Sequence, residues 1–140
     1  RAIWLRVHRL KYGGRWNSPG YPVIYAGMTY AICLLEKLAQ TSIGKIPTEQ
    51  HYIQINIPKN VSIGVIDHQT IKGWNEPESE SARIYGDNWI KSEKTCALII
   101  PSVVGFPHEQ NIMINPSHKD FAQISHAKPK LVEWDERLKQ

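Results

Sequence analysis

The chain has 140 residues, 41% hydrophobic and 21% charged, with a formal net charge of +4 at neutral pH. That length makes one domain with room for a real core, and the balance of apolar and charged residues excludes a disordered segment. No apolar run approaches the ~18–20 residues that span a bilayer, so the expectation is a cytoplasmic protein with no signal peptide and no membrane contact.

Cys33 and Cys96 stand among apolar neighbours, in Ile-Cys-Leu-Leu and Thr-Cys-Ala-Leu-Ile-Ile. They read as buried free thiols of a reducing compartment rather than a disulfide framework. A pI near 9.1 permits anionic partners without choosing among them.

In chain order, residues 3–7 read as a first strand around Arg6. The stretch Gly-Gly-Arg-Trp-Asn-Ser-Pro-Gly at 13–20 is a turn carrying a cation, an indole and an amide. Residues 21–26 make a second strand, with Pro22 at its start, where it costs little. Thr29 caps a helix from Tyr30 to about Gln40. Its segment 31–35 is apolar nearly all round, which predicts burial on most sides. Glu36 shares a face with Ile32, Cys33 and Ala39.

Residues 51–57 alternate with period two and predict a strand. Residues 61–66 predict another, short one. Residues 73–81, with Trp74, Asn75, Pro77 and three Glu, read as a surface loop. Residues 82–91 predict a helix weakened by Gly86. Residues 96–100 predict a buried strand, 111–115 a last core strand, and 131–134 an edge strand. The sum is a single α+β domain over residues 1–140, with more strand than helix.

Several chemistries fail on spacing. Six His are present, but none pairs with another at ligand spacing, and Ile112 stands where a helix opening His108-Glu109 needs its second His. No metal site is expected. Gly13-Gly14 lacks the Gly-Lys-Ser/Thr of a phosphate loop and the Gly-x-Gly-x-x-Gly of a dinucleotide fold. Ser102, in Ile-Pro-Ser-Val-Val, lacks a nucleophile elbow. It reads as a capping hydroxyl or as a donor to a phosphate or ribose oxygen.

Glu36 is more informative. No Asp or Glu precedes it, whereas Arg1, Arg6, Arg9, Lys11 and Arg15 all do. A carboxylate among apolar neighbours must be paired or do work, and arginines fork onto phosphates. Residue chemistry alone reaches an anionic, nucleotide-like ligand with one catalytic carboxylate, served by Arg6, Arg15 and Tyr25.

Arg15, Glu36 and Ser102 occur in that order inside Gly-Gly-Arg-Trp-Asn-Ser-Pro-Gly, Ala-Ile-Cys-Leu-Leu-Glu and Ile-Ile-Pro-Ser-Val-Val. Together with Val-Ile-Tyr-Ala-Gly, Ile-Tyr-Gly-Asp-Asn-Trp and Asn-Ile-Met-Ile-Asn-Pro-Ser-His, these segments resemble the RES domain of bacterial toxin–antitoxin systems over nearly the whole chain. The resemblance implies a mixed-sheet core similar to mono-ADP-ribosyltransferases and an enzyme that consumes NAD⁺, releasing nicotinamide to water or phosphate, with no metal. It implies Arg15, Glu36 and Ser102 as catalytic residues. Arg6 and Arg15 would hold phosphates, Tyr25 would stack on nicotinamide, and Glu36 would meet the nicotinamide ribose. Ser102 would orient the ribose or the Arg–Glu arrangement, and Asn111 would add a contact. It also implies a cognate Xre-like helix-turn-helix antitoxin, toxin self-association, and contact with DNA only through the antitoxin. Lys11-Tyr12 runs straight into Gly13, where family members carry a longer segment.

Other readings stay open: ADP-ribosyl transfer to a host protein, a basic nucleic-acid-binding module built on the N-terminal cations with Trp4, Tyr12 and Trp16, and a catalytically dead interaction surface.

Overall fold

The computed structural model describes residues 2–5, 13–41, 46–47 and 49–138. Strands β1 (Ala2–Leu5), β2 (Ile24–Gly27), β3 (His51–Asn56), β4 (Ile63–Val65), β5 (Ala97–Pro101), β6 (Gln110–Ile114), β7 (Ser125–His126) and β8 (Lys130–Leu131) join in a sheet. The order is β4-β5-β6-β2-β1-β3-β7, with β8 also on β3. β4 and β5 are parallel, and the other pairs are antiparallel. A parallel pair needs a crossover, and helix α2 (Glu80–Ser92) lies in the segment that makes it. Helix α1 (Tyr30–Ala39) packs on β1 and β2. The fold is α+β, with a mixed sheet.

β5 is buried at every residue, because both faces of the sheet are covered there. Its side chains divide by period two. Ala97 and Ile99 enter one apolar cluster with Ile112 and Ile114 of β6, while Leu98 and Ile100 enter another with Met113. The second cluster is roofed by Ala82, Trp89 and Ile90 of α2, by Ile66, Ile71 and Trp74, and by Trp16 from the turn before β2.

Several sequence expectations change here. The stretch 73–81 is not wholly surface: Trp74 and Ser79 are each 6% exposed, Trp74 filling the second cluster and Ser79 capping α2 by accepting from the Ala82 N–H. α2 therefore starts at Glu80, before the expected 82. β2 starts at Ile24, since residues before it finish the turn, with the Tyr21 N–H on the Ser18 carbonyl at 3.2 Å. α1 is capped by Thr29 as expected, but only Ile32 and Cys33 are buried on it. Ala31 and Leu35 are exposed, because α1 rests on the sheet by one face and the described residues leave its other face open. The tail forms a strand only at Lys130–Leu131, short of the expected 131–134. Both cysteines are buried thiols outside any disulfide.

Gly86 is no weak point of α2. A Cβ there would stand 1.6 Å from the Trp16 carbonyl oxygen. Glycine is what lets the turn lie directly on the helix.

Candidate active site

The turn at 13–20 is closed by the bridge between Gly14 and Asn17, whose backbone groups exchange hydrogen bonds of 3.1 and 3.4 Å. Trp16 and Asn17 are 2% and 1% exposed, so the middle of this turn belongs to the core. The Asn17 amide donates to the Tyr21 carbonyl at 2.9 Å, and its oxygen accepts from the Tyr25 hydroxyl at 2.5 Å. That hydroxyl also accepts from the Trp16 N–H at 3.2 Å. From α2, the Asp87 carboxylate accepts from the Ser18 N–H at 2.7 Å and from the Ser18 hydroxyl at 2.5 Å. Trp74 lies near-parallel to Trp16 and Tyr85 meets it edge-on, each with centroids 6.4 Å apart.

Arg15 is thus presented from a braced turn. Its Nη1 donates to the carbonyls of Trp74 (3.0 Å) and Glu76 (2.5 Å). A guanidinium carries five N–H donors in a fixed plane, so anchoring Nη1 leaves the Nε and Nη2 edge for an anion. Tyr25 sits beneath the turn, and a Cβ on Gly14 would come within 2.8 Å of its ring. Burial holds the Tyr25 phenol well above its ordinary range, so it stays neutral. Its hydroxyl is spent on the turn. Its ring is what it can offer a ligand.

Glu36 comes from the other side. A Cβ on Gly27 of β2 would stand 2.5 Å from Cys33 Sγ and 2.7 Å from Ile32 Cγ2, so glycine there lets α1 settle close on the sheet. One turn further on, Glu36 is half-buried beside the ends of β5 and β6. Its Oε2 accepts from the Asn111 side-chain amide and, at 3.4 Å, from the Ser102 hydroxyl. Ser102 is 1% exposed, and its Oγ accepts from the Gly105 N–H at 3.0 Å, which ties it to the β5–β6 loop.

A cleft of about 640 Å³ joins the two sides, within the range of small-molecule sites. Arg15, Tyr25, Glu36 and Asn111 line it, with Gly13–Trp16 on one side and Pro101, Val103 and Val104 on the other. The structure therefore brings together the sequence candidates Arg15, Tyr25, Glu36 and Asn111. Ser102 stands behind Glu36, outside the cleft lining. Arg6 lies outside the described residues, as do Arg1, Arg9, Lys11 and Tyr12.

Residues 3–135 match the RES domain. The chain belongs to the RES domain family. Among its relatives is "Prs ADP-ribosylating toxin" of Sphingobium sp. (strain YBL2), 32% identical over 130 residues, covering 90% of this chain and 80% of that protein. A "Toxin Res" of Photorhabdus laumondii is 31% identical over 122 residues (86% and 77%). Another, of Yersinia enterocolitica, is 30% identical over 140 residues (99% and 91%).

The contacts of the segment 84–89 give it a physical reading in this RES domain. Tyr85 packs on Trp16, Gly86 admits its carbonyl, and Asp87 clamps Ser18. Sequence reasoning missed Asp87 and Trp74 as parts of the site's frame. The Gly-Asp pair inside an otherwise regular helix was the available signal for the first, and Trp74 gave none beyond being a large apolar residue in a polar loop.

Proposed function

We propose that this RES domain is a toxin that breaks the glycosidic bond between nicotinamide and ribose in NAD⁺. The observation that carries the reading is one cleft with an anchored guanidinium on one wall and a carboxylate, fixed at one oxygen, on the other. Among the described residues nothing meets the Nε and Nη2 edge of Arg15, which suits a pyrophosphate oxygen, and the ring of Tyr25 suits a flat cationic base. Glu36 suits the positive charge that grows on the ribose as nicotinamide leaves with the bonding pair. Water then adds at the anomeric carbon and loses a proton, giving ADP-ribose; phosphate instead gives the 1″-phosphate. Nicotinamide is released either way.

The test is to incubate the purified chain with NAD⁺, with and without phosphate, and follow free nicotinamide. Release supports the reading, and a shift of product with phosphate names the acceptor. No release at high enzyme concentration in either buffer overturns it.

A second reading, transfer of ADP-ribose to a protein, is favoured by the name of the Sphingobium relative. Labelled NAD⁺ appearing on a protein band would select it. An Xre-like helix-turn-helix antitoxin and self-association of the toxin belong to the same proposal; a small helix-turn-helix protein co-purifying with the chain is the expected result. Of the cations behind the nucleic-acid reading, Arg1, Arg6, Arg9 and Lys11 lie outside the described residues.

A further inference from the structure

The two donors that reach Glu36 meet the same oxygen. Oε2 takes the Asn111 amide and the Ser102 hydroxyl, and among the described residues nothing meets Oε1. A carboxylate pinned at one oxygen cannot rotate freely about its last bond, so the other oxygen keeps a constant direction. Asn111 accepts a cost to do this. Its own Oδ1 is buried and meets no donor. Leaving an amide oxygen buried and unpaired is unfavourable, yet turning the amide over would set that oxygen against a carboxylate, which is worse. The amide is therefore held in the one orientation that serves Glu36.

The backbone beneath Asn111 is also fixed. It pairs with Gly27 on one side and Ile100 on the other, so the amide projects from a central strand rather than a loop. Gly27 is the residue on which α1 closes down, and the same strand pair thus sets the positions of both Glu36 and its donor.

From this juxtaposition we infer that Asn111 is a positioning residue: it aims Glu36 Oε1 at the reacting ribose instead of serving as a contact for NAD⁺. This rests on the proposed reading of the cleft. Ser102 assists at longer range and couples the same oxygen to the β5–β6 loop through Gly105.

Two readouts test it. With NAD⁺ as substrate, Asn111→Ala is expected to lower kcat for nicotinamide release by about 100-fold while KM stays within about twofold, because a misdirected carboxylate costs rate and not binding. Asn111→Asp keeps the volume and replaces the donor with a negative oxygen, so its kcat should fall at least as far. A mainly space-filling Asn111 predicts an Asp variant close to wild type, and a binding contact predicts a loss in KM; either overturns the inference. The second readout needs no substrate. Melting temperatures of Asn111→Ala, Glu36→Ala and the double variant should be non-additive, the double losing less than the two singles combined. Additivity overturns the positioning role whatever the activity. Non-additivity in a chain that releases no nicotinamide keeps the pairing and overturns the NAD⁺ reading instead.

Discussion

The two walls of the cleft are built differently. On the Arg15 side, two nearly inaccessible residues, Trp16 and Asn17, tie the turn to the second core cluster, and Asp87 and Gly86 lock it to α2. On the Glu36 side, the carboxylate is half-buried on a helix with only Ile32 and Cys33 buried, and its orientation depends on Asn111 and Ser102. One wall is held by core packing and by hydrogen bonds that brace the turn against the rest of the fold, the other by polar pairing of the cleft carboxylate itself. Substitutions on the first should cost stability, and on the second should cost chemistry while sparing the fold.

The largest effect is expected at Gly86. With 1.6 Å between an added Cβ and a backbone oxygen, Gly86→Ala must push the turn off the helix, at a cost of about 3 kcal/mol or more. Denaturant unfolding checks this, and a loss under about 1 kcal/mol would mean the turn is not braced by α2.

Asp87→Asn comes next. It keeps the shape of the clamp but removes the charge that accepts two hydrogen bonds from Ser18, for an expected loss of about 1–3 kcal/mol. Because Arg15 rides on the same turn, KM for NAD⁺ should rise with it. Wild-type stability and KM together would detach Asp87 from the site's frame.

Smaller is the effect of alkaline pH, which reaches Tyr25 on the Arg15 wall and Cys96 in the first core cluster. Burial raises the Tyr25 phenol, and it pushes the Cys96 thiol from its ordinary 9.0 to about 11. In both groups the folded state holds the proton more tightly than the unfolded chain. Their contribution is therefore fully present below the unfolded pKa values of about 9 and 10 and is lost as pH rises above them. Melting at about pH 8 and pH 10.5 should show a fall, and Tyr25→Phe should lessen it, since Phe has no proton to lose. An unchanged fall in that variant would place the alkaline sensitivity elsewhere.

What could be read in the sequence follows the same division. Capping by Thr29, the alternation of β3 and the apolar run of β5 are local signals, and they located the elements within a few residues. That Glu36 and the Arg15 turn line one cleft could be anticipated from a carboxylate on an apolar helix face downstream of unbalanced cations. The brace could not. Gly86 read as a helix defect because its partner, the Trp16 carbonyl, is 70 positions away in the chain. Trp74 read as surface because an aperiodic loop carries no pattern that shows which of its side chains turns inward. Nothing local reveals that β6 sets the Asn111 amide against Glu36. The overestimated burial of α1 has the same origin: an apolar segment shows a preference, and only the assembled sheet decides which face is covered.

The most direct test of a cleft with packed and chemical walls is Glu36→Gln, assayed for nicotinamide release from NAD⁺ and for melting on the same preparation. Glutamine keeps the volume and an acceptor for Asn111 and Ser102 but loses the charge. Release should fall by about 100-fold or more, with stability within about 1 kcal/mol of wild type. A well-folded Glu36→Gln chain that releases nicotinamide at the wild-type rate would contradict it.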